Sequence, residues 1–185
     1  MLIIGGILAI AVPKMSFGKV DTKKVIREIT QSVKEARNRA KLYGTTYRMA
    51  FRMEENNQAY WIEKSNSVTF IDKKALEEAR NEAKDNFRKD DAEKKESPFQ
   101  PDTSFFKKEQ KLPKNYNFKL LESGSQNVTY SDGLAYIHFF PQGFIESVIL
   151  QIEDPKKNIW SITFNPITGQ ATILTEAKLL KDLTQ

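Results

Sequence analysis

A chain of 185 residues is long enough for one domain with an appendage and a substantial core. Its 29% charged residues and mean hydropathy of -0.54 describe a mostly water-facing surface, twelve Phe argue against wholesale disorder, and a net charge of +5 permits an anionic partner without requiring one. With no cysteine there is no material for disulfides, thiolate metal sites or Cys nucleophiles, and a single histidine, His138, makes a His metal cluster or a Ser-His-Asp triad very hard to build.

The chain opens on an uncharged run, Leu2, Ile3, Ile4, Gly5, Gly6, Ile7, Leu8, Ala9, Ile10, Ala11 and Val12, closed by Pro13. Such a run is shorter than the roughly 20 residues that span a bilayer. A cleavable signal peptide fits its length, but the basic n-region is missing and no convincing small-x-small site follows it. From about Asp21 to Tyr43 the period is helical. Ile26, Ile29, Val33, Ala36, Ala40 and Tyr43 step by three and four and form one apolar stripe, while Lys23, Arg27, Lys34, Arg37 and Lys41 occupy the adjoining flank. Gly44 is a suitable left-handed stop, and Asp21 a suitable cap.

Thr45 to Met53 alternates with period two, with Tyr47, Met49, Phe51 and Met53 on one face, and predicts a half-buried strand. A turn at 54–58 and a return strand over 59–64 complete a hairpin. Between Lys73 and Glu96, sixteen of twenty-four residues are charged, eight of each sign, which predicts a solvated surface helix to about Arg88. Ser97 to Pro101 reads as an irregular linker, and about 71–103 as an insertion between strands. Strands are then expected at 117–122, 127–131, 134–140, 144–153, 159–164 and 170–175, with a short helix over 176–183. Turn residues recur at Asp132-Gly133, Pro141-Gln142-Gly143, Asp154 to Asn158 and Asn165 to Gly169, a spacing typical of antiparallel sheets. The expected fold class is α+β: a long N-terminal α-helix packed on an antiparallel β-sheet or sandwich domain.

The segment Ile4 to Pro13 resembles the second half of the N-terminal signature of the type IV pilin superfamily, an apolar stretch ending in a similar Gly-Ile-Leu-Ala-x-x-Ala-x-Pro. Ile137-His138-Phe139-Phe140-Pro141-Gln142-Gly143 and Trp160 to Gly169 are similar to the closing β region of GspH-type minor pseudopilins of type II secretion. The helix ending Ala36-Arg37-Asn38-Arg39-Ala40 before the strand Tyr47-Arg48-Met49-Ala50-Phe51 fits that family as well. The similarity covers both ends of the chain and skips the insertion. The family's leader, its cleavage-site Gly, the Phe after it and its acidic fifth mature residue are not in this sequence, so the reading frame is expected to begin upstream of Met1.

The resemblance implies a pilin-like, GspH-type subunit without enzymatic activity, cofactor, metal or small-molecule substrate. Residues 1–20 would form the apolar helix half that rests in the bacterial inner membrane and then in a filament core, where Gly5, Gly6, Ala9 and Ala11 allow close helix approach. Residues 21–44 would be the amphipathic half packed on the domain, and 45–185 the periplasmic β domain. It further implies a single-pass anchor, N-terminal processing with methylation, and other pseudopilins and the inner-membrane assembly platform as partners. The rival reading is a minor pilin that binds DNA, since residues 14–43 carry nine basic and three acidic side chains. Lys23, Arg27, Lys34, Arg37 and Lys41 are its candidate anion contacts, though no aromatics interleave them for base stacking. For an enzyme, His138 and the acidic pairs 54–55, 77–78 and 90–91 are the only candidates. None sits in a context that would separate two pKa values.

Overall fold

The structure is a computed structural model that describes residues 22–55, 57–65 and 97–183. The apolar run, the Asp21 cap, Pro13 and the charged helix expected near 73–88 lie outside the described residues. Helix α1 (Thr22–Tyr43) is followed by β1 (Tyr47–Glu54) and β2 (Asn57–Ser65), then β3 (Phe99–Pro101), β4 (Gln110–Lys111), β5 (Asn117–Ser123), β6 (Val128–Tyr130), β7 (Leu134–Phe139), β8 (Val148–Glu153), β9 (Ile159–Phe164) and β10 (Ala171–Leu174). A 3-10 turn (Leu180–Leu183) stands where a terminal helix was expected.

Two antiparallel sheets result. The first has the order β3-β2-β1-β7, with β4 also pairing β2; the second runs β10-β9-β8-β5-β6. The α+β architecture expected from the sequence, a long helix on antiparallel sheets, is the one observed. Helix α1 packs on β1 and β7, turning Val25, Ile26, Ile29, Val33, Ala36 and Ala40 inward at 3% exposure or less. Burying each of the larger side chains is worth about 1.5–3 kcal/mol. Facing them, β1 contributes Tyr47, Met49, Phe51 and Met53, and the second sheet adds Phe118, Leu121, Val148, Leu150, Ile152, Ile162 and Phe164 to one continuous core.

Helix α1 ends on Gly44 at φ +62°, and the amide of Thr45 donates to the carbonyl of Ala40 at 3.2 Å. That bond is the Schellman closure, which only a residue tolerant of left-handed backbone supports. Tyr43, placed by its spacing on the buried stripe, is 63% exposed instead. It belongs to the last turn, beyond the packed region, where the chain is already leaving the sheet.

Two further expectations are corrected. Ser97 to Pro101 is not an irregular linker, because Phe99–Pro101 pairs antiparallel with Glu63–Ser65, and Asp102 just after it is buried; the insertion therefore returns as an edge strand. The apolar run 144–153 does not form one strand. Only Val148–Glu153 does, and Ile145 makes an isolated bridge to Phe139 as the chain crosses from the first sheet to the second. Strand β8 is buried on both faces because residues 176–180 lie across its outer side. Gln151 Nε2 donates to the carbonyl of Lys178 at 2.9 Å, and Ser161 Oγ to that of Glu176 at 2.6 Å.

Candidate functional site

The two glycine turns that carry the sequence resemblance meet on one side chain of α1. Arg37 Nε donates to the carbonyl of Gly143 at 2.7 Å, and its Nη2 to the carbonyl of Ile167 at 2.6 Å. The guanidinium fork thus bridges the β7–β8 and β9–β10 connections. Each turn needs its glycine. Gly143 stands at φ +85° and Gly169 at φ +74°, and a Cβ on Gly169 would come within 2.7 Å of Arg37 Cδ. A third bond, Ile145 N to the carbonyl of Pro166 at 2.8 Å, ties the two turns to each other.

The other end of α1 is held by a carboxylate. Asp154 Oδ1 accepts the amides of Lys156 at 2.8 Å and Asn158 at 3.0 Å. Its Oδ2 accepts Trp160 Nε1 at 3.2 Å and, more distantly, Thr22 Oγ1 at 3.5 Å. Thr22 Oγ1 also lies 3.1 Å from the Tyr116 hydroxyl. Burial alone would raise the Asp154 pKa, but the donors of Asn158, Trp160 and Lys156 outweigh it and bring the group down to about 2. Thr22 to Arg37 is about 22 Å of helix, and a six-residue strand with its flanking turns covers a comparable length. Strand β9 therefore brings one of its two turns to each end of this part of α1.

A third polar node lies inside the domain. Glu146, 4% exposed, accepts hydrogen bonds from the hydroxyls of Ser123 and Ser125, from Gln126 Nε2 at 3.0 Å and from the His138 amide at 3.2 Å. Its Oε2 lies 2.7 Å from His138 Nδ1. Desolvation opposes ionisation here, yet the hydrogen bond and charge of His138 with the two serine hydroxyls bring the carboxyl down to about 2. The single histidine is thus a structural partner that fixes the crossing between sheets. Removing the His138 partner would leave the buried Glu146 carboxylate short of a hydrogen bond, at a cost of about 1–3 kcal/mol.

Of the five basic residues of the α1 flank, the structure separates one from the others. Arg37 is committed to the two turns and is not an open anion contact. Lys23, Arg27, Lys34 and Lys41 are exposed, with the Lys41 stem beside Gly143. Among the described residues no group of three or more His, Asp or Glu could hold a metal ion, and no helix is long and apolar enough to cross a membrane. Residues Leu2 to Pro13, proposed for membrane and filament core, lie outside the described residues.

Glu146 and Asp154 escaped the sequence reading. Glu146 left a signal, a lone acid inside an apolar stretch (Phe144 to Leu150). Asp154 was read only as part of a turn, although Asp-Pro-x-x-Asn is the pattern of a carboxylate that caps its own loop.

No family model and no curated protein matches the chain. Among solved structures, the chain is similar to the minor pseudopilin EpsH from the type II secretion system of Vibrio cholerae. The two share 12% identity at a TM-score of 0.44, over 83% of this chain and 93% of that one.

Proposed function

We propose that this chain is a GspH-type minor pseudopilin, a structural subunit of a type II secretion pseudopilus. Residues 1–20 would anchor it in the bacterial inner membrane before assembly and in the filament core afterwards, leaving the domain in the periplasm. The observation that carries this reading is the convergence of both family-like turns, Pro141-Gln142-Gly143 and Pro166-Ile167-Thr168-Gly169, on Arg37 of the amphipathic helix. A filament subunit anchored through its N-terminal helix must pass that anchorage to its globular domain without slack. A helix packed along β1 and β7 and held again at points fifteen residues apart is suited to the task. Other pseudopilins and the inner-membrane assembly platform are the partners this reading names.

The test is recovery of the protein, expressed from its own locus, from detergent-solubilised inner membranes of its host. Co-purification with other pseudopilins is expected, together with an export defect on deletion. Recovery as a lone protein from the soluble fraction, with export intact, would overturn the reading. Retardation of DNA that fades steeply with salt would favour the pilus-type alternative instead.

A further inference from the structure

On the side of α1 away from Arg37, a cleft of about 320 Å³ opens between the helix and the 102–110 segment. Glu28, Gln31, Ser32 and Glu35 form one wall, Phe105, Phe106 and Gln110 the other, and Tyr60 the floor. The rings are set at steep angles to one another: Tyr60 to Phe106 is edge-on at 5.9 Å, and Phe105 to Phe106 at 4.8 Å. Arg39 lies beside two of the lining residues, Glu35 and Phe105. It bonds Glu35 Oε1 at 2.8 Å and Ser104 Oγ at 2.9 Å, and its guanidinium lies 4.7 Å above Phe105.

Two features remain unsatisfied. Tyr60 is 5% exposed, yet its hydroxyl makes no hydrogen bond among the described residues. No fully enclosed polar side-chain atom there lacks a partner, so this hydroxyl keeps its opening to the cleft. Burial and then the charge of Glu28 push it up to about 12, so it stays a neutral phenol. Among the described residues the Glu28 carboxylate has only an exposed contact with Lys24 at 3.9 Å, whereas Glu35 is already engaged by Arg39. The cleft therefore offers a carboxylate, a neutral phenol oxygen and aromatic faces, which together suit an ammonium ion on an aliphatic stem.

We propose that this cleft binds a lysine side chain of a partner protein, its ammonium held between Glu28 and the Tyr60 hydroxyl and its stem against Phe105 and Phe106. The volume suits one side chain, at the small end of ligand sites. Glu28 and Glu35 keep 52% and 51% of their side chains exposed, which leaves the rim open to a ligand arriving attached to a larger body. The site stands whether or not the chain assembles into a filament.

The test is a heteronuclear NMR titration of the full 185-residue chain, in a zwitterionic detergent, with Nα-acetyl-lysine methylamide. Saturable shifts centred on Glu28, Tyr60, Phe105 and Phe106 are expected. Glu28→Gln, a change at a half-exposed position, should weaken binding about five-fold, and Tyr60→Phe about two-fold. The neutral Nα-acetyl-norleucine methylamide should leave the cleft unshifted. Absence of saturable shifts, equal shifts with the norleucine compound, or binding indifferent to Glu28→Gln would each overturn the proposal. Tighter binding of free 1,4-diaminobutane than of the lysine compound would overturn the protein side chain as its source.

Discussion

The two attachments of α1 to the loops of the β domain achieve the same thing with opposite chemistry. Near its C-terminal end a fixed cation, Arg37, reads two neutral backbone carbonyls, and near its N-terminal end a titratable anion, Asp154, gathers neutral donors including Thr22. A guanidinium holds its charge at every accessible pH. A carboxylate does not. One attachment should therefore be indifferent to acid and sensitive to the shape of the turns, the other the reverse.

The largest effect should come from spoiling the turn geometry. Gly169→Val places a branched side chain at φ +74° with its Cβ within 2.7 Å of Arg37 Cδ. Left-handed strain and the clash together should cost about 3 kcal/mol, read from the urea midpoint. Arg37→Leu removes both carbonyl contacts and keeps the stem packing; about 2 kcal/mol is expected. Because both changes strike one contact, the double variant should lose less than the sum. Near-additivity would mean that Arg37 and the Gly169 turn are not coupled.

Asp154→Asn should cost about 1 kcal/mol at neutral pH, since the amide keeps one acceptor and forfeits the charge. Its pH signature separates the two attachments. Asp154 and Glu146 titrate in the fold at about 2, below the ordinary 3.8 and 4.5. The unfolded chain thus binds protons first as pH falls. Both contributions are complete above about pH 5 and fade between there and pH 2. Asp154→Asn should flatten part of that acid slope, with the remainder left to Glu146 and to Asp102 and Glu153, whose carboxyls are also held below their ordinary values, while Arg37→Leu should leave it unchanged. Chemical denaturation at pH 7 and pH 3 checks this; an acid slope identical in wild type and Asp154→Asn would sink the anionic attachment. Thr22→Val should have the smallest effect, about 0.5 kcal/mol, because its bond to Asp154 is long and its end of the helix part-buried.

Much of this molecule was legible without coordinates. The stripe Ile26, Ile29, Val33, Ala36, Ala40 repeats at the helical period, and Tyr47 to Met53 alternates at period two. Both patterns are set by which residues a local backbone turns to one side. The glycine turns at 143 and 169 were legible for the same reason, since the conformation a turn demands is a property of a few adjacent residues.

What the sequence by itself determined, then, was the kind and order of elements: a long amphipathic helix, a hairpin, and a series of antiparallel strands punctuated by turns. Only the tertiary structure decided which distant pieces meet. Arg37 finds Gly143 and Ile167 across 106 and 130 residues of chain, Glu146 becomes an ion buried beside His138, and Tyr60 ends under Glu28 at the bottom of a cleft. Periodicity records a residue's near neighbours along the chain. The contacts that give a charge its partner, or leave a hydroxyl waiting for one, depend on how two sheets and a helix share a core, and no local pattern carries that information.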